Sequence, residues 1–351
     1  MIKVGVYGAS GYMGGEALKV LVEHPEVEIV WATTRSDRSI EEVHRNLIGA
    51  GITFSKPENL EPADVVFFAV PSGVAMAESG AFLDQGSKII DLGSDFRLRD
   101  KNLWEDVYGK NHSNWPVAED SVYGLTEMYR DKITAAKVVA NPGCFSSSAI
   151  FGLAPLVAAG IIDNQKIVVD GISGTAGAGA ETDTALHHPE LGNNILPYNV
   201  VDHRHTYEME QELSHIAKNQ VTVHFTPTYA PITRGILTIS HCFLEKSITT
   251  PEIKSIFKDF YSEANFIKVM EIGADSSQTW KYKPYPWVNA VSGTNFCHLG
   301  LEVDEKRGRV VVFSVLDSMG KGGSHAGVQN MNVMFGLPEE TGLKRFGLHP
   351  Y

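Results

Sequence analysis

Hydrophobic and polar positions fall into two textures along the chain. Ile2–Tyr7 is a short apolar run that passes through Gly8-Ala9-Ser10-Gly11-Tyr12-Met13-Gly14 into Glu16–Val22, where apolar residues recur at helical spacing. That pattern predicts a strand, a glycine turn and a helix closed by Pro25. Val27–Ala32 alternates as a second strand, Asp64–Val70 is a continuous apolar third, and Lys88–Leu92 and Lys137–Ala140 repeat the theme. Strands separated by helical stretches of about a dozen residues imply right-handed βαβ units and a parallel sheet. Residues 1–143 are therefore expected to form a Rossmann-type, doubly wound domain. From about residue 165 the runs Lys166–Asp170, Val221–Phe225, Gly235–Ile239 and Arg309–Phe313 alternate more and are joined by longer loops. They predict an α+β domain with a mixed sheet over residues 144–323. A helix is expected within the tail 324–351, returning to the first domain. The fold class is α/β.

Length agrees with about two domains, since 351 residues are read at roughly 100–200 per domain. A formal charge of −12 argues against nucleic acid or an anionic membrane as the main partner, though a local basic pocket would survive it. The apolar stretch Ala149–Ile162 is interrupted by Gly152, Pro155 and Gly160, too short and too broken to span a bilayer, and reads as a buried helix. The N-terminus has no secretory signature, and three cysteines do not make a disulfide framework, so a reducing cytoplasm is the expected location.

The chemistry concentrates in a few segments. Glycines at 8, 11 and 14, between the first strand and the first helix, allow a tight turn, close approach of a pyrophosphate and helix packing, so Gly8, Ser10, Gly11, Tyr12, Met13 and Gly14 are expected to bind a dinucleotide. The second strand ends in Thr33-Thr34-Arg35-Ser36, with no carboxylate at the strand end itself, although Asp37 is near enough to leave NAD as the alternative. Thr34, Arg35 and Ser36 suit a 2′-phosphate, which favours NADP(H) over NAD. Cys144 follows a strand and Asn141-Pro142-Gly143 and opens the buried helix, a position that lowers a thiol pKa and favours a nucleophilic thiolate. Cys242 and Cys297 lie in strand-like apolar surroundings and read as inert. His203-Arg204-His205 offers two imidazoles on one face of an extended segment for acid–base work. A metal site with His187 and His188 is not expected, because no cysteine or acidic triad stands at metal spacing nearby.

Together these segments resemble the N-acetyl-gamma-glutamyl-phosphate reductase family and its lysine-pathway relatives. The resemblance is carried by Gly8–Glu16, Asp91–Leu98, Tyr123–Glu127, Asn141–Phe145, Ser173–Gly179, His203–Leu213 and Pro231–Ile236, nearly the whole chain. It implies NADPH-dependent reductive dephosphorylation of an acyl phosphate. Cys144 would expel phosphate to form a thioester, and His203 or His205 would exchange protons with the thiohemiacetal. It also implies Arg97, Arg234 and Arg204 as grips for phosphate or carboxylate, and association as a homodimer or homotetramer.

Two segments depart from the family pattern. Asp317-Ser318-Met319-Gly320-Lys321-Gly322 stands where Asp-Asn-Leu-x-Lys-Gly is usual, leaving Ser318 as the residue to contact the cofactor. His187-His188-Pro189-Glu190 is similar to the branch whose glutamyl or aminoadipyl phosphate is attached to a small acidic amino-group carrier protein, and that branch is the expected one. The free N-acetyl-gamma-glutamyl phosphate is the alternative, with aspartate-semialdehyde dehydrogenase and a non-catalytic NADP sensor further off. A net charge of −12 repels an acidic carrier, so docking would require Arg97, Arg99, Lys101, Arg204, Lys281 and Lys283 to converge.

Overall fold

The computed structural model describes residues 1–35, 37–58, 60–270 and 285–350. Ser36, Lys281 and Lys283 lie outside the described residues. The chain divides into two compact units: residues 1–142 with 323–344, and residues 143–322 with 345–351.

The first unit contains β1 (Ile2–Tyr7), α1 (Tyr12–Leu21), β2 (Val27–Thr33), α2 (Ile40–Val43), β3 (Phe54–Ser55), β4 (Val65–Phe68), α3 (Val74–Asp84), β5 (Lys88–Asp91), α4 (Lys101–Tyr108), α5 (Trp115–Glu119), β6 (Val122–Tyr123), α6 (Thr126–Ala135) and β7 (Val138–Ala140). Its sheet runs β3-β2-β1-β4-β5-β7-β6, every pair parallel. Val65, Val66, Phe67 and Phe68 are all fully buried, which is why β4 is apolar without alternation: helices cover both faces of such a sheet. Strand order reverses between β1 and β4, the switch point where sheets of this kind bind ligands.

The second unit contains α7 (Cys144–Ala159), β8 (Ile167–Ser173), α8 (His188–Leu191), β9 (Leu196–Pro197), α9 (Arg204–Ala217), β10 (Val223–Tyr229), β11 (Ile236–Phe243), α10 (Thr250–Phe260), β12 (Ile267–Val269), β13 (Cys297–Asp304) and β14 (Arg309–Leu316). Its mixed sheet runs β12-β13-β14-β11-β8-β10-β9, with β12–β13 and β8–β10 parallel and the other neighbours antiparallel. Every residue of α7 from Phe145 to Val157 is buried, and Gly152 lets the helix lie close to Val312 of β14. At about 1.5–3 kcal/mol for each large apolar side chain, Phe151, Leu153 and Leu156 make α7 the spine of this unit's core. No described helix is long and apolar enough to cross a membrane.

The chain then re-enters the first unit as α11 (His325–Met334), whose ten residues are all buried. Thr126 donates to Asn330 at 2.7 Å, and Lys88 donates to the Met334 carbonyl at 2.6 Å. The helical pattern of Ser324–Phe335 forms α11, but the helix assigned to 324–351 does not run on through the tail: it stops at Met334, Gly336 takes φ +69°, and Pro338 cannot continue it. Residues 345–351 group with the second unit.

Candidate active site

In the first unit the glycine turn joins β1 to α1. Gly8 has φ +83°, and a Cβ there would come within 2.6 Å of the Ala69 carbonyl. Its N–H donates to Thr33 Oγ1 at 3.0 Å, and the Ala9 N–H donates to the Thr33 carbonyl at 2.8 Å, so β2 holds the turn. A Cβ on Gly14 would lie 2.6 Å from Ala9 Cα, whereas a Cβ on Gly11 meets only the Gly8 carbonyl, at 3.8 Å. Gly14 is thus required by packing, while Gly11 borders open space at the start of α1, where no side chain caps the helix and no acidic residue stands in the first turn. An uncapped helix end beside space that any side chain would fill fits a dinucleotide pyrophosphate. Tyr12 is half exposed and Arg35 is exposed, while Thr34 is buried. A cleft of about 490 Å³ lined by Thr34, Asp37, Arg38, Ser39 and Lys56 follows β2, with Lys56 donating to Asp37 at 2.7 Å.

Arg97 does not present its guanidinium to solvent. It is buried and donates to the carbonyls of Asn141 at 2.8 Å and Leu92 at 3.3 Å, tying the strap 91–98 to the segment before Cys144. Asp95 takes the N–H groups of Gly73 and Met76 at the start of α3, and burial beside Asp95 pushes the Asp91 carboxyl up to about 7. The strap's charges are thus spent on backbone and on one another.

In the second unit, Cys144 is the first residue of α7, partly exposed, behind Gly143, which caps the helix without a side chain. The other two thiols are buried: burial pushes Cys242 up to about 12, and Cys297 Sγ is 3.4 Å from Ser314 Oγ. His203-Arg204-His205 is not the extended segment the pairing of imidazoles predicts. His203 caps α9, its Nδ1 accepting the His205 N–H at 3.1 Å, and Arg204 and His205 are already helical. The two rings consequently stand in different surroundings. His203 sits among the edges of Phe145, Tyr198 and Phe225, and burial, with Arg204 beside it, pushes it down to about 4. His205 lies against Gly143, close enough that a Cβ there would meet its Nε2 at 2.4 Å. Arg204 is exposed.

Other groups complete the surroundings. Tyr198 and Tyr229 stack at 4.1 Å and 11°, and burial raises the Tyr198 phenol. Arg234 Nε donates to Asp317 Oδ1 at 3.2 Å and its Nη2 is 2.8 Å from Oδ2, with the arginine side chain 26% exposed and the aspartate wholly buried. Asp317 also takes the N–H groups of Met319 and Gly293. Ser318 is turned inward, its Oγ accepting the Gly235 N–H at 3.4 Å, so its hydroxyl is already engaged within this unit. His188 lines a separate cleft of about 280 Å³ with Thr175, Leu186, Leu191 and Ile232. Among the described residues no three His, Cys, Asp or Glu side chains are grouped to hold a metal. Sequence reasoning passed over the two tyrosines and Glu208 as individual site residues. The i, i+3 spacing of His205 and Glu208 is the signal that a helical reading of this segment would have exposed.

Comparison with known proteins defines the class first. The family described as "Semialdehyde dehydrogenase, NAD binding domain" matches residues 3–136, and "Semialdehyde dehydrogenase, dimerisation domain" matches residues 144–318. Aspartate semialdehyde dehydrogenase II from Vibrio cholerae, complexed with ASA, shares the fold with a TM-score of 0.71 at 17% identity, covering 95% of this chain and 98% of that one. The enzyme from Candida albicans with NADP gives 0.66 at 16% identity, covering 95% and 98%. The chain is an oxidoreductase of the semialdehyde dehydrogenase class with a nicotinamide dinucleotide as cofactor. More narrowly, it belongs to the N-acetyl-gamma-glutamyl-phosphate reductase family. Proteins of that name from Thermoanaerobacter sp. (strain X514) and Methanopyrus kandleri are 42% and 41% identical, each alignment covering 100% of both chains, and that from Pelotomaculum thermopropionicum is 41% identical over 99% of each.

Proposed function

We propose that this chain reduces N-acetyl-gamma-glutamyl phosphate to the corresponding semialdehyde with NADPH, through a thioester on Cys144. The observation that carries the reading is a partly exposed thiol at the uncapped start of α7 with the His205 ring against the preceding residue. Such a helix end favours the thiolate. Cys144 attacks the acyl carbon and expels inorganic phosphate. NADPH, when bound, supplies the hydride that reduces the thioester. His205 gives a proton to the developing oxygen and takes it back as the aldehyde leaves and the thiolate re-forms. His203 serves as the cap that orients His205. Arg234, held by Asp317 and 26% exposed, is the arginine placed to grip a substrate carboxylate or phosphate.

Arg35, with Arg38 and Lys56 along the neighbouring cleft, supports NADP(H) over NAD. The names of the relatives support the free acetylated substrate over the carrier-linked glutamyl or aminoadipyl phosphate expected from His187–Glu190. Three of the six basic residues expected to receive a carrier are engaged otherwise, while Arg204 is exposed. Arg97 is buried on backbone carbonyls, Arg99 lies over the Tyr129 ring, and Lys101 is 3.8 Å from Glu105. In the mixed sheet, Val168, Ile172, Leu237, Ile239 and Val311 alternate with core positions and stay half-buried, a surface suited to a second copy of this chain.

Cys144→Ala is expected to bind NADP(H) as the parent does and to lose phosphate-dependent oxidation of N-acetylglutamate semialdehyde by more than about 10³-fold. Retained turnover would sink the mechanism. Turnover by the parent of carrier-linked semialdehydes alone would overturn the acetyl substrate.

A further inference from the structure

Gly15 stands one residue past the three glycines of the β1–α1 turn, and a ring explains it. A Cβ there would come within 2.4 Å of His44 Cε1 and 2.7 Å of His44 Nδ1, so the imidazole fills the place a side chain would take. His44 is buried and closes α2, its own N–H donating to the Ile40 carbonyl at 2.6 Å. Phe54 of β3 meets the ring edge-on, at 6.3 Å and 68°. His44 Nε2 lies 2.8 Å from the Ala9 carbonyl oxygen. A carbonyl only accepts, so Nε2 carries the hydrogen.

Ala9 is wholly buried at the centre of the turn, and its N–H donates to the Thr33 carbonyl at 2.8 Å. The two peptide groups that flank its Cα are therefore held from outside the turn, one by β2 and the other by the residue that closes α2. The second peptide is the one that bears on ligand binding. A trans peptide is planar, with C=O and the following N–H pointing opposite ways. A donor on the Ala9 oxygen thus fixes the direction of the Ser10 N–H, which faces away from the imidazole. Ser10 precedes Gly11 and the uncapped start of α1, where a dinucleotide pyrophosphate fits. A buried carbonyl without a donor is costly. Without the imidazole, that peptide is released to turn toward another donor and takes the Ser10 N–H with it.

We propose that His44 is a positioning residue of the dinucleotide site: through the Ala9 carbonyl it aims the Ser10 N–H at the cofactor's pyrophosphate. It acts through the backbone and not on the cofactor. This rests on the nicotinamide dinucleotide assigned above to the glycine turn. A rival role would run through the cleft that follows β2, because α2 also borders that cleft. The two roles leave different signatures. NADPH and NADH share the pyrophosphate and differ only in the 2′-phosphate.

The test uses His44→Leu, which fills the space without a donor, and His44→Gln, which keeps an N–H donor. Ile133→Val is the control for lost stability, a core change in α6, which packs on α11 and β6. Each protein is measured by thermal melting, by fluorescence titration with NADPH and with NADH, and by kcat and KM for NADP with N-acetylglutamate semialdehyde and phosphate. His44→Leu is expected to weaken NADPH and NADH alike by about tenfold and to raise KM for NADP in step, with kcat at saturating NADP within about twofold of the parent. His44→Gln should return both affinities to within about threefold of the parent. A folded Leu variant that binds as the parent does, a loss confined to NADPH, or a Gln variant as weak as Leu would each overturn the role. So would an affinity that falls with melting temperature in Ile133→Val as it does in His44→Leu. A parent that binds neither nucleotide would overturn the cofactor reading and this proposal together, and is told apart because it appears before any substitution.

Discussion

His203 and His205 stand two residues apart and are chemically alike, yet their backbone positions give them different work. His203 accepts the first N–H of α9 and is wrapped by aromatic edges, so protonating it would both break the cap and bury a charge. The unfolded chain takes up that proton near pH 6.5, whereas the folded protein resists it down to about 4. Stability is therefore full above pH 6.5 and falls as pH drops through that window, by up to about 3 kcal/mol. Asparagine can still cap a helix but does not titrate there. His203→Asn should therefore flatten the fall in melting temperature between pH 6.5 and 4, and a slope equal to the parent's would show that another group is responsible.

At the scale of elements, the β1–α1 turn separates two reasons for a glycine. Gly14 abuts the backbone of Ala9, so Gly14→Ala forces the helix away from the turn and should cost about 1–3 kcal/mol of stability, read from denaturant unfolding. A side chain at Gly11 meets open space. Gly11→Val should leave the melting temperature near the parent's and weaken NADP(H) binding by roughly tenfold or more, measured by fluorescence titration. Equal affinity would move the pyrophosphate elsewhere. This turn was legible because strand, turn and helix are neighbours in sequence and each obeys a local rule. The helical state of Arg204–Ala217 was not, since buried Glu208 and Glu212 interrupt its apolar stripe. Acidic residues inside a core look like surface until their partners are known.

At the scale of the molecule, the half-buried apolar positions of the mixed sheet are the surface proposed above for a second copy of this chain. Leu237→Lys with Ile239→Lys should shift sedimentation toward the monomer, because two charges cannot be left dry between sheets. An unchanged mass would place the interface on another surface. The sequence by itself determined the alternation of strands and helices in the first unit, the mixed second sheet, the glycine turn and the thiol at a helix start. These follow from hydrophobic period and from contacts between near neighbours. Only the tertiary structure decided which polar residues are spent inside the protein. Arg97 is anchored 44 residues away at Asn141, Glu208 reaches back 65 residues to Gly143, and Arg234 meets Asp317 across 83. A buried charge takes its role from the partner that folding brings to it, and no local pattern in the chain records that partner.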